Sequence, residues 1–359
     1  MIKHILVTGG CGFIGSNFIR YVLEKYSAYK IINLDKVTYA GNLANLKGVD
    51  HLPNYQFVKG DIGDKELVER LFKEYKIHVV VHFAAESHVD RSILGPEAFI
   101  KTNILGTFNL LEMARKLWLE GLTGNHPPLF LHISTDEVYG TLGINDPPFT
   151  EENPYAPNSP YAATKAASDY LVRAYHQTYG LPTIITNCSN NYGPYQFPEK
   201  LIPLVIYRAY KGKTIPIYGQ GHNIRDWLYV KDHCRALDLV LHHGKSGENY
   251  NMGAKNEWRN IDIVYLICNL LDKKYPSKIH GIESFKELIT FVKDRPGHDF
   301  RYAMDATKIK TELGWEPEYT FEKGIEETID WYLKHMDWVE GIISGDYQKF
   351  FERYYGMTL

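Results

Sequence analysis

Ile2-Lys-His-Ile-Leu-Val-Thr-Gly-Gly-Cys-Gly-Phe-Ile-Gly15 opens the chain with an apolar run, breaks it with glycines, and continues into Phe13, Ile14, Phe18 and Ile19 at helical spacing. That pattern predicts strand, tight turn and helix, the junction at which dinucleotides bind. Gly9 allows the sharp turn. Gly12 lets the backbone approach a pyrophosphate that a Cβ would push away, and Gly15 lets the helix pack closely on the strand. The free N–H groups around Phe13 and Ile14, at the positive end of the helix dipole, would then face the phosphates.

Three glycines at Gly-x-x-Gly-x-x-Gly spacing also suit a β-to-α turn that holds no ligand. Position argues for the ligand: the turn follows the first strand, and Asp35 ends the next apolar run, Lys30-Ile-Ile-Asn-Leu-Asp35. An acidic side chain there accepts from an adenosine ribose and repels a 2′-phosphate, which favours NAD over NADP. Lys36 weakens that preference, since a cation tolerates the phosphate.

Further strands are predicted at Tyr55 to Lys59, His78 to Phe83, Leu129 to Ser134 and Thr183 to Asn187, alternating with helices over about 13–26, 65–75, 102–117 and 161–179. Asp61 and Ile62 follow the third strand, where they can meet an adenine; Asp61 and Asp64 equally suit the start of the next helix. Ala84 and Ala85 leave room for a nicotinamide ribose at the end of the fourth strand, and Ser87 and His88 in the polar run beyond them are candidate substrate contacts. The alternation implies an α/β fold, a Rossmann-type doubly wound parallel sheet. Past Asn190 the prolines, short helices and isolated strands indicate a smaller C-terminal α/β substrate-binding domain. The expected division is 1–189, with 224–250 returning to it, for NAD, and 190–223 with 251–359 for the substrate.

With 359 residues, 44% of them hydrophobic, the chain can bury a core for both parts. A net charge of −3 gives no footprint for nucleic acid or an anionic membrane. Cys11, Cys188, Cys234 and Cys268 lack Cys-x-x-Cys spacing, so neither a zinc site nor a disulfide framework is expected. The N-terminus enters a strand without a signal-like segment, and the apolar run around Ile263 to Leu271 falls well short of the roughly 18 residues of a membrane span. A soluble, cytoplasmic protein acting on a small molecule is expected.

Tyr161 and Lys165 lie four apart on one helix and share a face. A lysine ammonium near a phenol favours the phenolate and would draw it toward neutrality, giving a base for an alcohol proton. Ser134 and Thr135 end the neighbouring strand, followed by the carboxyl groups of Asp136 and Glu137. Arg225 and Arg295 are candidate pyrophosphate ligands, because a guanidinium forks onto two oxygens at once.

Taken together, Thr8-Gly-Gly-Cys-Gly-Phe-Ile-Gly15, Asp35-Lys-Val-Thr-Tyr-Ala-Gly-Asn42, His82-Phe-Ala-Ala-Glu-Ser-His-Val-Asp-Arg-Ser92, Ser134-Thr-Asp-Glu-Val-Tyr-Gly140, Tyr161-Ala-Ala-Thr-Lys165, Asn190-Asn-Tyr-Gly-Pro194 and Arg295-Pro-Gly-His-Asp299 resemble the extended short-chain dehydrogenases/reductases acting on nucleotide sugars, and among them the 4,6-dehydratases. The resemblance covers nearly the whole chain. The glycine turn and Tyr-x-x-x-Lys are shared with epimerases and reductases; Thr135-Asp136-Glu137 is the discriminating triplet. It implies bound NAD, dTDP-glucose as substrate, Glu137 as the base at C5, Asp136 as the acid at the C6 hydroxyl, and Thr135 on the C4 oxygen. It adds Asn190, Glu199, Lys200 and Leu201, then Pro216 and Tyr218 near the base, and Asn260 and His298. It also implies a homodimer through the helices Thr102 to Leu117 and Tyr161 to Tyr179. A 4-epimerase, or a dehydratase of a UDP-, CDP- or GDP-hexose, is the close alternative. A non-catalytic redox sensor would be expected to lose the Tyr-x-x-x-Lys pair that this chain keeps.

Overall fold

A computed structural model describes residues 4–121, 124, 126–275, 281–343, 349, 352 and 353. The first half alternates β1 (His4–Thr8), α1 (Phe13–Lys25), β2 (Lys30–Asp35), β3 (Tyr55–Lys59), α2 (Lys65–Tyr75), β4 (Val79–His82), α3 (Val89–Leu94), α4 (Glu97–Phe99), α5 (Thr107–Leu119), β5 (Leu129–Thr135), α6 (Pro160–Tyr179) and β6 (Thr183–Cys188). Then come β7 (Asn190–Tyr192), α7 (Leu201–Tyr210), β8 (Ile215–Tyr218), β9 (Ile224–Tyr229), α8 (Val230–His243), β10 (Asn249–Met252), β11 (Glu257–Arg259), α9 (Asn260–Lys274), β12 (Ile289–Val292), α10 (Thr307–Leu313), α11 (Phe321–Lys334) and α12 (Met336–Ile342).

Seven strands form one parallel sheet in the order β10-β6-β5-β4-β1-β2-β3. Its strands read as nearly unbroken apolar runs because both faces are covered. Ile5, Val7, Ile31, Val79, Val81, Leu131 and Ile133 enter the core under α1 and α8. The intervening Leu6, Ile32, Leu34, Val80 and Phe130 enter the core under α2, α5 and α6. The strand order reverses between β1 and β4, which opens a crevice at their carboxyl ends.

The smaller part has a three-stranded sheet, β11-β9-β7, and a two-stranded one, β12-β8. Its core gathers α7, α9, α11 and α12 around Tyr192, Ile206, Trp227, Ile267 and Tyr332. The segment 224–250 divides between the two: β9 stays in the three-stranded sheet, and the chain rejoins the large sheet through α8 and β10. Ala306, Ile309 and Trp315, around α10, share the core of the large sheet.

Helix ends follow local chemistry. Ser159 accepts from Ala162 N at 3.1 Å, Pro160 fills the first position of α6, and Gly180 closes it at φ 68°. Asp64, rather than Asp61, caps α2 by accepting from Leu67 N at 3.0 Å. The long helix expected from Thr102 is not regular: Ile100–Gly106 forms a π-helix before α5. The carbonyl of Asn103 takes hydroxyl hydrogens from Thr107 at 2.6 Å and Ser168 at 2.7 Å, which compete with the α-helical ladder and widen the turn.

Candidate active site

At the β1–β4 crevice a cavity of about 310 Å³ runs from Gly9 to Lys165. Every residue expected to hold the cofactor lines it: Gly9, Gly12, Phe13, Ile14, Gly15, Asp35, Lys36, Asp61, Ile62, Ala84, Ala85, Tyr161 and Lys165. Gly9 has φ +73°, and a Cβ there would stand 2.6 Å from Ala84 N, so β1 and β4 meet backbone to backbone. A Cβ on Gly15 would stand 2.5 Å from the Gly9 carbonyl. On Gly12 it would meet only that carbonyl, at 3.2 Å, and would otherwise fill the cradle in front of α1. The bare backbone at the helix start and the apolar slots at Ile62 and Ala84 fit a dinucleotide.

Asp35 is occupied as well as poised. Its Oδ2 accepts from Cys11 N at 2.8 Å and its Oδ1 from Val37 N at 2.7 Å, leaving further lone pairs for a ribose. Lys36 turns to Asp61, 2.7 Å away, so its charge is balanced within the protein.

At the far end of the cavity, β5 delivers Thr135 into a tight turn over Asp136 to Tyr139, where Thr135 Oγ1 accepts from Glu137 N at 3.3 Å and donates to Asp136 Oδ1 at 3.1 Å. Asp136 Oδ2 is buried with no hydrogen-bond partner among the described residues. Burial, and then the charge of Glu137, push Asp136 well above the usual carboxylate range. Burial also raises Glu137, but Lys200, Arg225 and Arg295 pull it back down. Both carboxyl groups are raised, Asp136 the more strongly, so the two titrate apart and Asp136 is the one held toward the neutral acid.

Tyr161 and Lys165 stand beside them on α6, both buried. The expected lowering of the phenol is not what this arrangement produces. Burial and the Glu137 charge raise Tyr161 well above its usual value, against the pull of the Thr135 hydroxyl. Lys165 donates to the Ile133 carbonyl at 2.8 Å, and its own pKa is lowered by burial.

A second cavity of about 170 Å³ adjoins the first, sharing Glu137, Asn190, Glu199 and Lys200. Of the expected substrate residues, Leu201, Pro216, Tyr218, Arg225, Asn260, Arg295, His298 and His88 line the second cavity, while Ser87 lies in the first. Asp90 holds Arg295, Nε to Oδ1 at 2.5 Å, and accepts from Tyr218 at 2.9 Å. Arg225 Nη1 and Nη2 donate to the carbonyls of Ile224 and Asp299 at 2.8 and 2.9 Å, and its guanidinium covers the Tyr302 ring at 4.2 Å. His88 is a helix cap as well as a wall, its Nδ1 accepting from Arg91 N at 3.4 Å. Burial pushes Glu199 up to about 7. His298 Nδ1 lies 2.7 Å from Asp294 Oδ1.

Sequence reasoning missed Tyr302, whose hydroxyl donates to Asp299 at 2.5 Å, and Cys188, which lies in the cavity wall. Asp299 ends the Arg-Pro-Gly-His-Asp motif and could have been found there; one tyrosine among 27 carries no such signal. Among the described residues no cluster of His, Cys, Asp and Glu could hold a metal ion.

A doubly wound parallel sheet with a glycine turn at its switch point, and a Tyr-x-x-x-Lys helix beside it, defines a short-chain dehydrogenase/reductase of the extended type. The chain belongs to the family described as GDP-mannose 4,6 dehydratase, whose profile matches residues 6–328. It is 55% identical to the dTDP-glucose 4,6-dehydratase of Salmonella typhimurium over 98% of each chain. Among solved structures it resembles dTDP-glucose 4,6-dehydratase from Bacillus anthracis in complex with NAD, at TM-score 0.84 and 49% identity, covering 95% of this chain and all of that one. It likewise resembles that from Streptomyces venezuelae with NAD and TYD bound, at TM-score 0.86 and 46% identity over 95% of this chain and all of the other.

Proposed function

We propose that this chain catalyses the NAD-dependent 4,6-dehydration of dTDP-glucose to dTDP-4-keto-6-deoxyglucose. The observation that carries the reading is the split pair beside Tyr161: a buried Asp136 held toward its neutral form and a Glu137 flanked by Lys200, Arg225 and Arg295. An epimerase has no need of a separate acid and base at this place, and the similar proteins named above agree with the dehydratase.

NAD, when bound, supplies the hydride acceptor and donor for C4 and C6 of the sugar. Thr135 hydrogen-bonds the C4 oxygen, and Tyr161, once the positive charge of a bound nicotinamide and the Lys165 ammonium offset the burial that raises it, would take the C4 hydroxyl proton as a phenolate. The new ketone acidifies the C5 hydrogen, which Glu137 removes as a carboxylate. Asp136 protonates the C6 hydroxyl so that it departs as water, and Glu137 returns a proton to C5. The product keeps the oxidation level of the substrate, less one water.

The body of the seven-stranded sheet holds NAD in this reading, and the smaller part holds the nucleotide sugar. Arg225 and Arg295 serve the pyrophosphate, Pro216 and Tyr218 lie near the base, and Asn190, Glu199, Lys200, Leu201, Asn260, His298, Ser87 and His88 complete the walls. A homodimer through α5 and α6 is supported by exposed Leu105, Phe108, Leu119 and Tyr170 on and beside those helices. A cytoplasmic setting is supported by four buried free cysteines, and no helix of the described residues is long and apolar enough to cross a membrane. Incubation with dTDP-glucose and NAD tests the function: a 4-keto-6-deoxy product, read by its alkali-dependent absorbance, is expected, and its absence with every nucleotide glucose tested overturns the reading.

A further inference from the structure

Asp169 lines neither cavity, yet it organises what stands behind the first one. It is 1% exposed and follows Lys165 by one helical turn, so both side chains leave α6 on the same face. Its Oδ2 accepts from Ser134 Oγ at 2.7 Å and from Asn187 Nδ2 at 3.4 Å. Asn187 also donates to the Thr135 carbonyl at 3.1 Å. The other carboxylate oxygen, Oδ1, lies 3.1 Å from His132 Nε2, and that same ring nitrogen lies 3.5 Å from Lys165 Nζ. One neutral imidazole nitrogen can donate to Asp169 or accept from Lys165, but not both. An ionised Asp169 selects the donating tautomer, which leaves Lys165 to the Ile133 carbonyl and to the carboxylate's field.

We propose that Asp169 is a positioning residue of the dehydration site, supplying the counter-charge that keeps Lys165 an ammonium beside Tyr161 and fixing the end of β5 that carries Thr135, Asp136 and Glu137. This rests on the dehydratase reading above. The groups facing the carboxylate are Lys165 on its own helix, His132 on β5, and Tyr155 and Tyr139 from the connection between β5 and α6. Cys188 on β6 and His82 on β4 also face Lys165. Burial keeps both His82 and His132 far below the usual histidine range and pushes Asp169 itself up to about 6, so at neutral pH Asp169 is the nearby group able to answer the lysine's charge.

Turnover of dTDP-glucose by the unaltered protein tests the dehydratase reading first, so a failure there is distinct from a failure of the inference. In Asp169→Asn, which can keep the bond from Ser134, Lys165 loses a stabilising negative charge and deprotonates at lower pH. The alkaline limb of the kcat profile should move down by about 1 unit or more, with kcat at the original optimum reduced roughly tenfold. KM for dTDP-glucose should stay within about threefold, since no substrate contact is removed. Ser134→Ala removes a donor from the ionised carboxylate, so the acid limb should move up. An unchanged pH profile in folded Asp169→Asn overturns the inference, whatever happens to its Tm. If that variant does not fold, an unchanged acid limb in Ser134→Ala overturns it.

Discussion

The hydroxyl of Thr135 donates to Oδ1 of Asp136 at 3.1 Å, while Oδ2 of the same carboxyl is buried without a partner among the described residues. A carboxylate so placed would leave a full charge half unsolvated, whereas a carboxylic acid carries its hydrogen on the bare oxygen, pointing at whatever enters the cavity. Asp136→Asn keeps the shape and removes that proton. Turnover should fall at least about 10²-fold, the usual worth of a placed acid. Exchange of the C5 hydrogen with deuterated solvent, read by mass spectrometry, should persist; its loss would remove the separation of roles between Asp136 and Glu137.

The two carboxyl groups contribute to the same pH limbs as the Lys165 and Asp169 pair. With Glu137 as the proposed base and Asp136 as the proposed acid, activity should be lost as pH falls through the folded pKa of the first and as pH rises through that of the second. Asp136 is the more strongly raised, which gives the order a bell-shaped profile requires. Arg225→Gln removes one of the cations holding Glu137 down and should shift the acid limb to higher pH. A profile with an unmoved acid limb would show that Arg225 does not act on Glu137.

Gly9 and Gly12 should separate folding from cofactor binding. Gly9→Ala meets Ala84 at 2.6 Å in a left-handed conformation and should lower stability by about 1–3 kcal/mol, read as denaturant midpoint. Gly12→Ala meets only the Gly9 carbonyl, at 3.2 Å, and should cost no more than about 1 kcal/mol while weakening NAD at least about tenfold by calorimetry, the loss of a close backbone approach.

Asp90 is fully buried and holds Arg295 and Tyr218 in the wall of the second cavity. Asp90→Asn should raise KM for the nucleotide sugar by about tenfold with kcat little changed, as loss of binding uniform between ground and transition states does. A fall in kcat at constant KM would place Asp90 with the chemistry instead.

Leu105 and Phe108 are 53% and 37% exposed where the π-helix meets α5, beside α6. The double change Leu105→Glu, Phe108→Glu should give a monomer in sedimentation velocity at micromolar concentration. A dimer unchanged by it would put the contact elsewhere.

Much of this was legible in the sequence because period and punctuation agreed. The runs at Ile5–Val7 and Ile31–Leu34 read as buried parallel strands, and the helix expected over about 161–179 is α6, Pro160–Tyr179. The π-helix was not legible, since one of the hydroxyls placed at the Asn103 carbonyl, that of Ser168, comes from 65 residues away. Nor was the state of Tyr161: a four-residue spacing says that lysine and phenol share a face, but not that Lys165 spends its hydrogen bond on Ile133. The Lys36–Asp61 pair and the packing of Ile309 with the large sheet were hidden for the same reason, being settled by distant partners.

Asp35 bears on how such a chain can change over generations. Its carboxylate steadies the Cys11 amide inside the glycine turn and the Val37 amide at φ 55°, a conformation a β-branched residue adopts only when held. A mutation admitting a phosphorylated ribose by deleting this carboxylate would also slacken the loop on either side of it. Cofactor preference and local architecture are therefore inherited together, and drift toward the other dinucleotide needs several compensating substitutions rather than one.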